Sequence, residues 1–198
     1  MERDTDLVRP TKTLKLKSFS SIHNGGMIKD QYGRAFDYVR IAVNERCNLR
    51  CVYCMPEEGI NFLPQKDLLT TDEINRLISI LVKSGVKKIR FTGGEPLLHK
   101  DIVSLVNFSA NAGVKSIHLT TNGLLLGKMA KPLYEAGLNG INISLDTLDH
   151  KKFEEITRRK GLEKVIDGLN LALSLEFPSV KMNIVFMRDF NHREIGDF

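Results

Sequence analysis

The chain has no tryptophan, only three cysteines and no run of 18 or more apolar residues. Each shortage closes a class. Without a long apolar run, no membrane-spanning helix is expected. Three cysteines cannot pair completely, so a disulfide framework is excluded and a reducing compartment is expected. Excess charge is also scarce: 29 Lys and Arg against 24 Asp and Glu leave a net charge of +5. That suits a small anionic ligand such as a nucleotide and is too little to indicate nucleic-acid binding. Hydrophobic content of 42% and charged content of 27% argue against disorder. A length of 198 residues gives one domain with a sizeable core as the default.

The cysteines that are present share one window. Cys47, Cys51 and Cys54 lie in CNLRCVYC with the spacing C-x3-C-x2-C. Three thiolates on one short loop can hold three irons of a 4Fe–4S cluster. Such clusters normally take four cysteines, so a set of three leaves one iron open. Open metal positions are where chemistry happens. Zinc is the alternative, with one of His23, His99, His118, His150 or His192 as fourth ligand. But zinc ligands usually come as two separated pairs, and no histidine adjoins the window. Inert buried cysteines would be scattered along the chain.

The first 34 residues read as a separate arm. Leu7 to Lys29 carries five basic residues and no acidic one, with Ser18, Ser20 and Ser21 clustered, which resembles a mitochondrial transit segment. Glu2, Asp4 and Asp6 argue against that reading, and a solvated arm is its equal.

From residue 35 onward, strands and helices alternate. Strands are predicted at 38–43, 87–92, 115–120, 140–145 and 180–186. A capping-box signature at Thr70–Glu73 opens a helix that carries Ile74, Leu77, Ile78 and Leu81 and stops at Gly85. Further helices are expected at 101–112, 128–136 and 162–175, with Gly113 and Gly137 as stops, and a capped helix is expected to begin at Asn191. Strict βα alternation implies a parallel sheet with right-handed crossovers. The polar, glycine-bearing motifs all follow strands: the cysteines, GGEP, TTNG and SLDT. The carboxyl ends of parallel strands form one mouth, so the motifs converge there. A doubly wound sheet is the competing architecture and would require a reversal of strand order.

Taken together, DQYGRAFDYVRIAVNERCNLRCVYCMPEEG, IRFTGGEPLL, LTTNG, INISLDTL and RRKG resemble the radical S-adenosylmethionine enzymes. Within them, they resemble the GTP 3′,8-cyclases of molybdenum cofactor biosynthesis (the MoaA family). The resemblance covers about residues 30–198, and the EEG and RRKG stretches are similar to its eukaryotic, mitochondrial branch. It implies an α/β fold, a partial TIM-type barrel that is an incomplete (βα)6 radical SAM core. It also implies a 4Fe–4S cluster on Cys47, Cys51 and Cys54, with S-adenosylmethionine near Tyr53, Gly93, Gly94, Glu95 and Ser144. Gly93 and Gly94 would admit the methionine moiety, and Glu95 would offer charge to its ammonium. Arg40, Arg90, Thr120 and Lys181 match positions that hold GTP. Arg40 and Arg90 interrupt apolar strands, and an Arg inside a barrel strand needs an anion. The implied reaction converts GTP to 3′,8-cyclo-7,8-dihydro-GTP by hydrogen abstraction from the ribose.

The implied partners are an external electron donor and a downstream cyclic pyranopterin monophosphate synthase, and a homodimer is allowed for. The implied compartment is the mitochondrial matrix, or the cytoplasm. The alternatives are a different radical enzyme acting on peptide or RNA, and a non-catalytic zinc-binding module. The Arg158-Arg159-Lys160 run reads as a solvated face, and His99 and His118 as structural. The family is longer, with a sixth strand, a second cluster on three further cysteines and a Gly-Gly tail. A fragment, a short isoform or an incomplete gene model, cut after the fifth strand, is therefore expected, with that strand left as an exposed apolar edge.

Overall fold

The computed structural model describes residues 26–198. The proposed transit segment lies almost wholly outside the described residues. Two short strands, β1 (Ile28–Lys29) and β2 (Ala35–Phe36), form a hairpin. The boundary expected at residue 34 falls inside it. The main sheet comprises β3 (Tyr38–Ala42), β4 (Lys88–Thr92), β5 (Ser116–Thr121), β6 (Gly140–Ser144) and β7 (Ser179–Asn183). All pairings are parallel and the order is β3-β4-β5-β6-β7, without a reversal. That order excludes the doubly wound alternative and gives an open segment of a βα barrel. Among the described residues, β3 and β7 each pair on one side only.

The crossovers are α1 (Thr71–Lys83), α2 (Ile102–Asn111), α3 (Leu126–Glu135), α4 (His150–Thr157) and α5 (Leu162–Ser174). Thr70 and Glu73 form the expected reciprocal capping box on α1. Gly85, Gly113 and Gly137 follow α1, α2 and α3 with φ of +85°, +94° and +96°, where a Cβ would be strained. Helix α4 was not expected. Its sequence, HKKFEEIT, is mostly charged and buries only Phe153, Ile156 and Thr157. The available signal was Asp149, whose side chain accepts from the backbone N–H groups of Lys151 and Lys152.

Two expectations near the carboxyl end are corrected. Strand β7 ends at Asn183 rather than 186, and Val185 and Phe186 lie past it, exposed. No α-helix begins at Asn191. His192–Gly196 is a single 3-10 stretch. The Asn191 side chain is fully buried and faces backward instead. It donates to the carbonyls of Asp146 (2.6 Å) and Val185 (2.9 Å) and accepts from Met187 N–H. A side chain spent on those three groups cannot cap a helix.

Strand side chains alternate between faces, and here the faces differ completely. Ile41, Ile89, Phe91, Ile117, Leu119, Ile141 and Ile143 point outward into a core shared with the helices. The inner face carries Tyr38, Arg40, Lys88, Arg90, Ser116, His118, Thr120, Asn142, Ser144, Lys181 and Asn183. It holds no carboxylate. An inner wall of this kind is a site rather than a packed core.

The mouth is held by a backbone clasp. Gly94 N–H donates to the Asn44 carbonyl (2.9 Å) and Glu95 N–H to that of Arg46 (2.7 Å). A Cβ on Gly93 would stand 2.3 Å from the Asn44 oxygen, and one on Gly94 would stand 2.3 Å from the Arg46 oxygen. Neither backbone oxygen can step aside. Gly94→Ala should therefore cost about 3 kcal/mol of stability, the upper range for overpacking; urea unfolding measures it, and a neutral result would mean the clasp is loose.

His118 lies on the inner face with 8% of its surface exposed. Burial lowers its pKa from 6.5 to about 4, and Lys88, Arg90 and Lys181 add to the effect. The folded state thus keeps it neutral. Stability from this residue is present above about pH 6.5 and is lost as pH falls toward 4, where the unfolded chain takes up the proton first. In denaturant titrations across that window, His118→Asn should flatten the pH dependence; an unchanged slope would remove His118 as its source.

Candidate active site

The cysteine loop leaves β3 at the carboxyl end and is tied on three sides. One tie is to α4. The last carbonyls of a helix lack intrahelical partners, and here loop amides supply them. Arg50 N–H donates to Thr157 O (3.0 Å) and Val52 N–H to Ile156 O (2.9 Å). Arg158 caps α4 in the left-handed conformation, φ 55°. Its Nη1 donates to the carbonyls of Arg50 (2.9 Å) and Met55 (3.2 Å). The Arg158-Arg159-Lys160 run is thus only partly a solvated face. Arg159 and Lys160 are exposed, whereas Arg158 clamps the loop.

The second tie runs to the loop after β5. Asn122 Nδ2 donates to Asn48 Oδ1 (2.7 Å) and to Cys47 Sγ (3.7 Å). The third runs to the loop after β6, where the Tyr53 hydroxyl donates to the Asp146 carboxylate. Asp146 is buried, and its other oxygen accepts from Val185 N–H at 2.8 Å. The contact holds the Tyr53 hydroxyl protonated, because burial and the adjacent carboxylate both push its pKa up.

The three thiols are free, with Cys47 and Cys51 half-buried and Cys54 exposed. Burial pushes the Cys51 thiol up to about 11, and Cys47, Cys54 and Asp146 add to it. Burial likewise raises Cys47, with Glu95 and Cys54 pushing the same way. Thiols that resist ionisation because they are buried and lie close to one another become thiolates when a cation joins them. The donor set therefore fits a positively charged cluster. Among the described residues, no three His, Cys, Asp or Glu side chains close on a single metal ion.

Ser144 lies in the same recess as Cys51, Tyr53, Asn122 and Asp146. Gly93 and Gly94 are exposed at the mouth on the side away from the clasp. Glu95 differs from its expected role. Its side chain is 1% exposed and accepts from Leu97 N–H (3.0 Å), the Thr121 hydroxyl (2.7 Å) and Asn122 N–H (2.8 Å). It joins the loops after β4 and β5 and does not point its charge into the mouth.

Below the mouth, Arg40, Arg90, His118 and Gly140 stand in one register row. Thr120, Asn142 and Lys181 form the next row up. Arg90 Nη1 donates to Thr120 Oγ1 at 3.1 Å, and its Nε is buried without a partner. Arg40 Nε donates to the Tyr38 hydroxyl at 3.0 Å, and Lys88 Nζ lies 5.4 Å from that ring. Burial alone would raise the Tyr38 pKa, but Arg40 and Arg90 outweigh it and lower the value. All four expected anion-binding residues thus share one wall, with Lys88 added. Lys88 and Asn142 were not singled out in the sequence, Asn122 and Asp146 were read only as parts of the TTNG and SLDT motifs, and Arg158 only as part of a solvated run. For Lys88 and Asn142 the available signal was the even-numbered parity they share with Arg40 and Arg90.

Comparison with known proteins fits this geometry. Residues 41–198 match the profile of the Radical SAM superfamily. Over 172 residues the chain is 53% identical to molybdenum cofactor biosynthesis protein 1 of Drosophila melanogaster, covering 86% of this chain and 30% of that protein. Over 173 residues it is 49% identical to a GTP 3′,8-cyclase of Listeria monocytogenes, covering 87% of this chain and 52% of that enzyme. The chain thus spans about half the length of the bacterial relative, and less of the animal one. Among solved structures, Streptococcus suis SuiB aligns with a TM-score of 0.66 at 21% identity, over 81% of this chain and 36% of that one, a likeness of fold. The profile match spans the cysteine loop and every motif of the mouth, and the chain belongs to the radical SAM superfamily.

Proposed function

We propose that the chain carries the cofactor half-site and part of the substrate site of a GTP 3′,8-cyclase. Such an enzyme converts GTP to 3′,8-cyclo-7,8-dihydro-GTP at the start of molybdenum cofactor biosynthesis. Its product would pass to a cyclic pyranopterin monophosphate synthase, and its electrons would come from an external donor. Membership of the superfamily implies a 4Fe–4S cluster and S-adenosylmethionine. When bound, these groups supply a 5′-deoxyadenosyl radical.

The residues divide the remaining work. Cys47, Cys51 and Cys54 hold the cluster, and Arg158 and Asn122 fix their loop. The exposed backbone of Gly93 and Gly94, together with Tyr53 and Ser144, lines the place of S-adenosylmethionine. Arg40, Lys88, Arg90, Lys181 and Thr120 take the triphosphate. One observation carries the choice of an anionic substrate: the inner wall gathers four cations and no carboxylate, with Arg90 Nε buried and unpartnered. Among the described residues none of the four makes a salt bridge. Arg40 and Lys181 are exposed and Lys88 and Arg90 half-buried, so the buried Arg90 Nε is the donor whose lack of a partner costs most, and the four like charges together favour an anion. Relatives named GTP 3′,8-cyclase support GTP as that anion. A peptide substrate would leave this wall uncompensated.

Two measurements test the reading. After anaerobic reconstitution, the chain should hold about four irons and four sulfides; Cys47→Ala, Cys51→Ala or Cys54→Ala should each lose the cluster, and a colourless zinc-loaded chain would reject it. In equilibrium dialysis GTP should bind, and Arg90→Ala should weaken it at least tenfold, the loss of a charge-assisted pair. Equal affinity would remove Arg90 from the substrate site.

A further inference from the structure

Five described side chains hold a buried polar atom without a hydrogen-bond partner, and three of these lie together on the inner wall: Arg90 Nε, His118 Nδ1 and Asn142 Oδ1. A buried polar group left unmatched costs about 1–3 kcal/mol. Three on one wall of a site point to a ligand that completes them. A triphosphate answers Arg90, which is a donor. It cannot answer Asn142 Oδ1, because a fully ionised phosphate only accepts. Asn142 needs a hydrogen-bond donor.

The position of Asn142 narrows the donor. It lies on β6 between Thr120 and Lys181, with Gly140 one row below and Ser144 one row above. The Arg40–Arg90 row is beneath it, and the cysteine loop is beyond the upper rim. The residue is 9% exposed. Its Nδ2 donates to Asn183 Oδ1 at 3.3 Å, the orientation that leaves Oδ1 as the unmatched atom. A nucleotide with its phosphates against Arg40, Lys88 and Arg90, the phosphate nearest the sugar reaching Thr120 and Lys181, and its reacting end toward the cysteine loop brings its sugar next to the Thr120–Lys181 row, within reach of Asn142. The groups that donate there are the ribose hydroxyls.

We infer that Asn142 is a specificity-determining residue that reads the sugar, its Oδ1 accepting a hydrogen bond from the 2′- or 3′-hydroxyl of a ribonucleoside triphosphate. The inference rests on the nucleotide reading of the same site. It makes the site selective for ribonucleotides over deoxynucleotides before any chemistry occurs. Asn142 acts in binding and holds no reacting proton.

The test is equilibrium dialysis of the reconstituted full chain with GTP, 2′-deoxy-GTP and 3′-deoxy-GTP. One deoxy analogue should bind about five- to tenfold more weakly than GTP, the worth of one hydrogen bond to a buried acceptor. Asn142→Leu should weaken GTP by a similar factor and leave that analogue unchanged, so the discrimination disappears. Asn142→Ala provides the same comparison if the leucine variant does not fold. Equal binding of all three nucleotides to the parent overturns the sugar contact and leaves the nucleotide reading standing. So does discrimination that survives in the Asn142 variants. Failure of GTP and both analogues to bind overturns the two together.

Discussion

The structure depends on a backbone-to-backbone clasp between two loops that follow neighbouring strands. Gly94 and Glu95 donate their amides to Asn44 and Arg46, and Asn44 Nδ2 returns a hydrogen bond to the Glu95 carbonyl at 2.9 Å. The approach is so close that a Cβ at either glycine would meet a carbonyl oxygen. The clasp sets where the cysteine loop leaves β3. It also buries Glu95, which then organises the loop after β5 through Thr121 and Asn122. Asn122, once placed, reaches back to Cys47. Three strand ends are thereby locked into one rim by hydrogen bonds that each satisfy a group otherwise orphaned. Burial raises the pKa of the Glu95 carboxyl, and the three donors around it oppose that shift.

The fourth strand end joins by another route. Asp146 after β6 accepts from Tyr53 of the cysteine loop and from Val185 after β7, while Asn191 takes its carbonyl. Glu194 continues this border, accepting from Thr147, Leu148 and Lys152. The cysteine loop therefore sits between two polar networks and on the carboxyl end of α4. Catalytic geometry benefits from such over-determination, since a reactive group displaced by an ångström loses most of its orientation advantage. Below the rim the design is the opposite. Arg90, His118 and Asn142 keep unmatched atoms. A polar wall left incomplete in the folded chain stores affinity for whatever completes it.

Much of this was legible in the residues. The βα alternation, four of five helices and all five main strands follow from periodicity, capping and glycine stops. The convergence of CNLRCVYC, GGEP, TTNG and SLDT follows from parallel topology. Other features were hidden for identifiable reasons. Helix α4 has too few apolar residues to show a periodic face. Asn191 carries a helix-capping side chain, but tertiary donors and acceptors claim it first. Arg158 looks like part of a basic surface run until α4 ends beside the cysteine loop and turns its guanidinium inward. Glu95 has the charge expected of a ligand contact, yet its three acceptor bonds are internal.

The sequence by itself determined the fold class and which residue types could do chemistry, because strand and helix periods, turn residues and cysteine spacing are local properties. Only the tertiary structure decided the open, sequential strand order, the burial of Glu95, the clamp made by Arg158 and the unmatched Oδ1 of Asn142. Those depend on which atoms meet across long stretches of chain, as Asn44 meets Glu95 51 residues away and Arg158 meets Arg50 108 residues away. A hydrogen-bond donor in a sequence does not say which acceptor it will find. Packing settles that by bringing a few candidates within reach and burying them away from water.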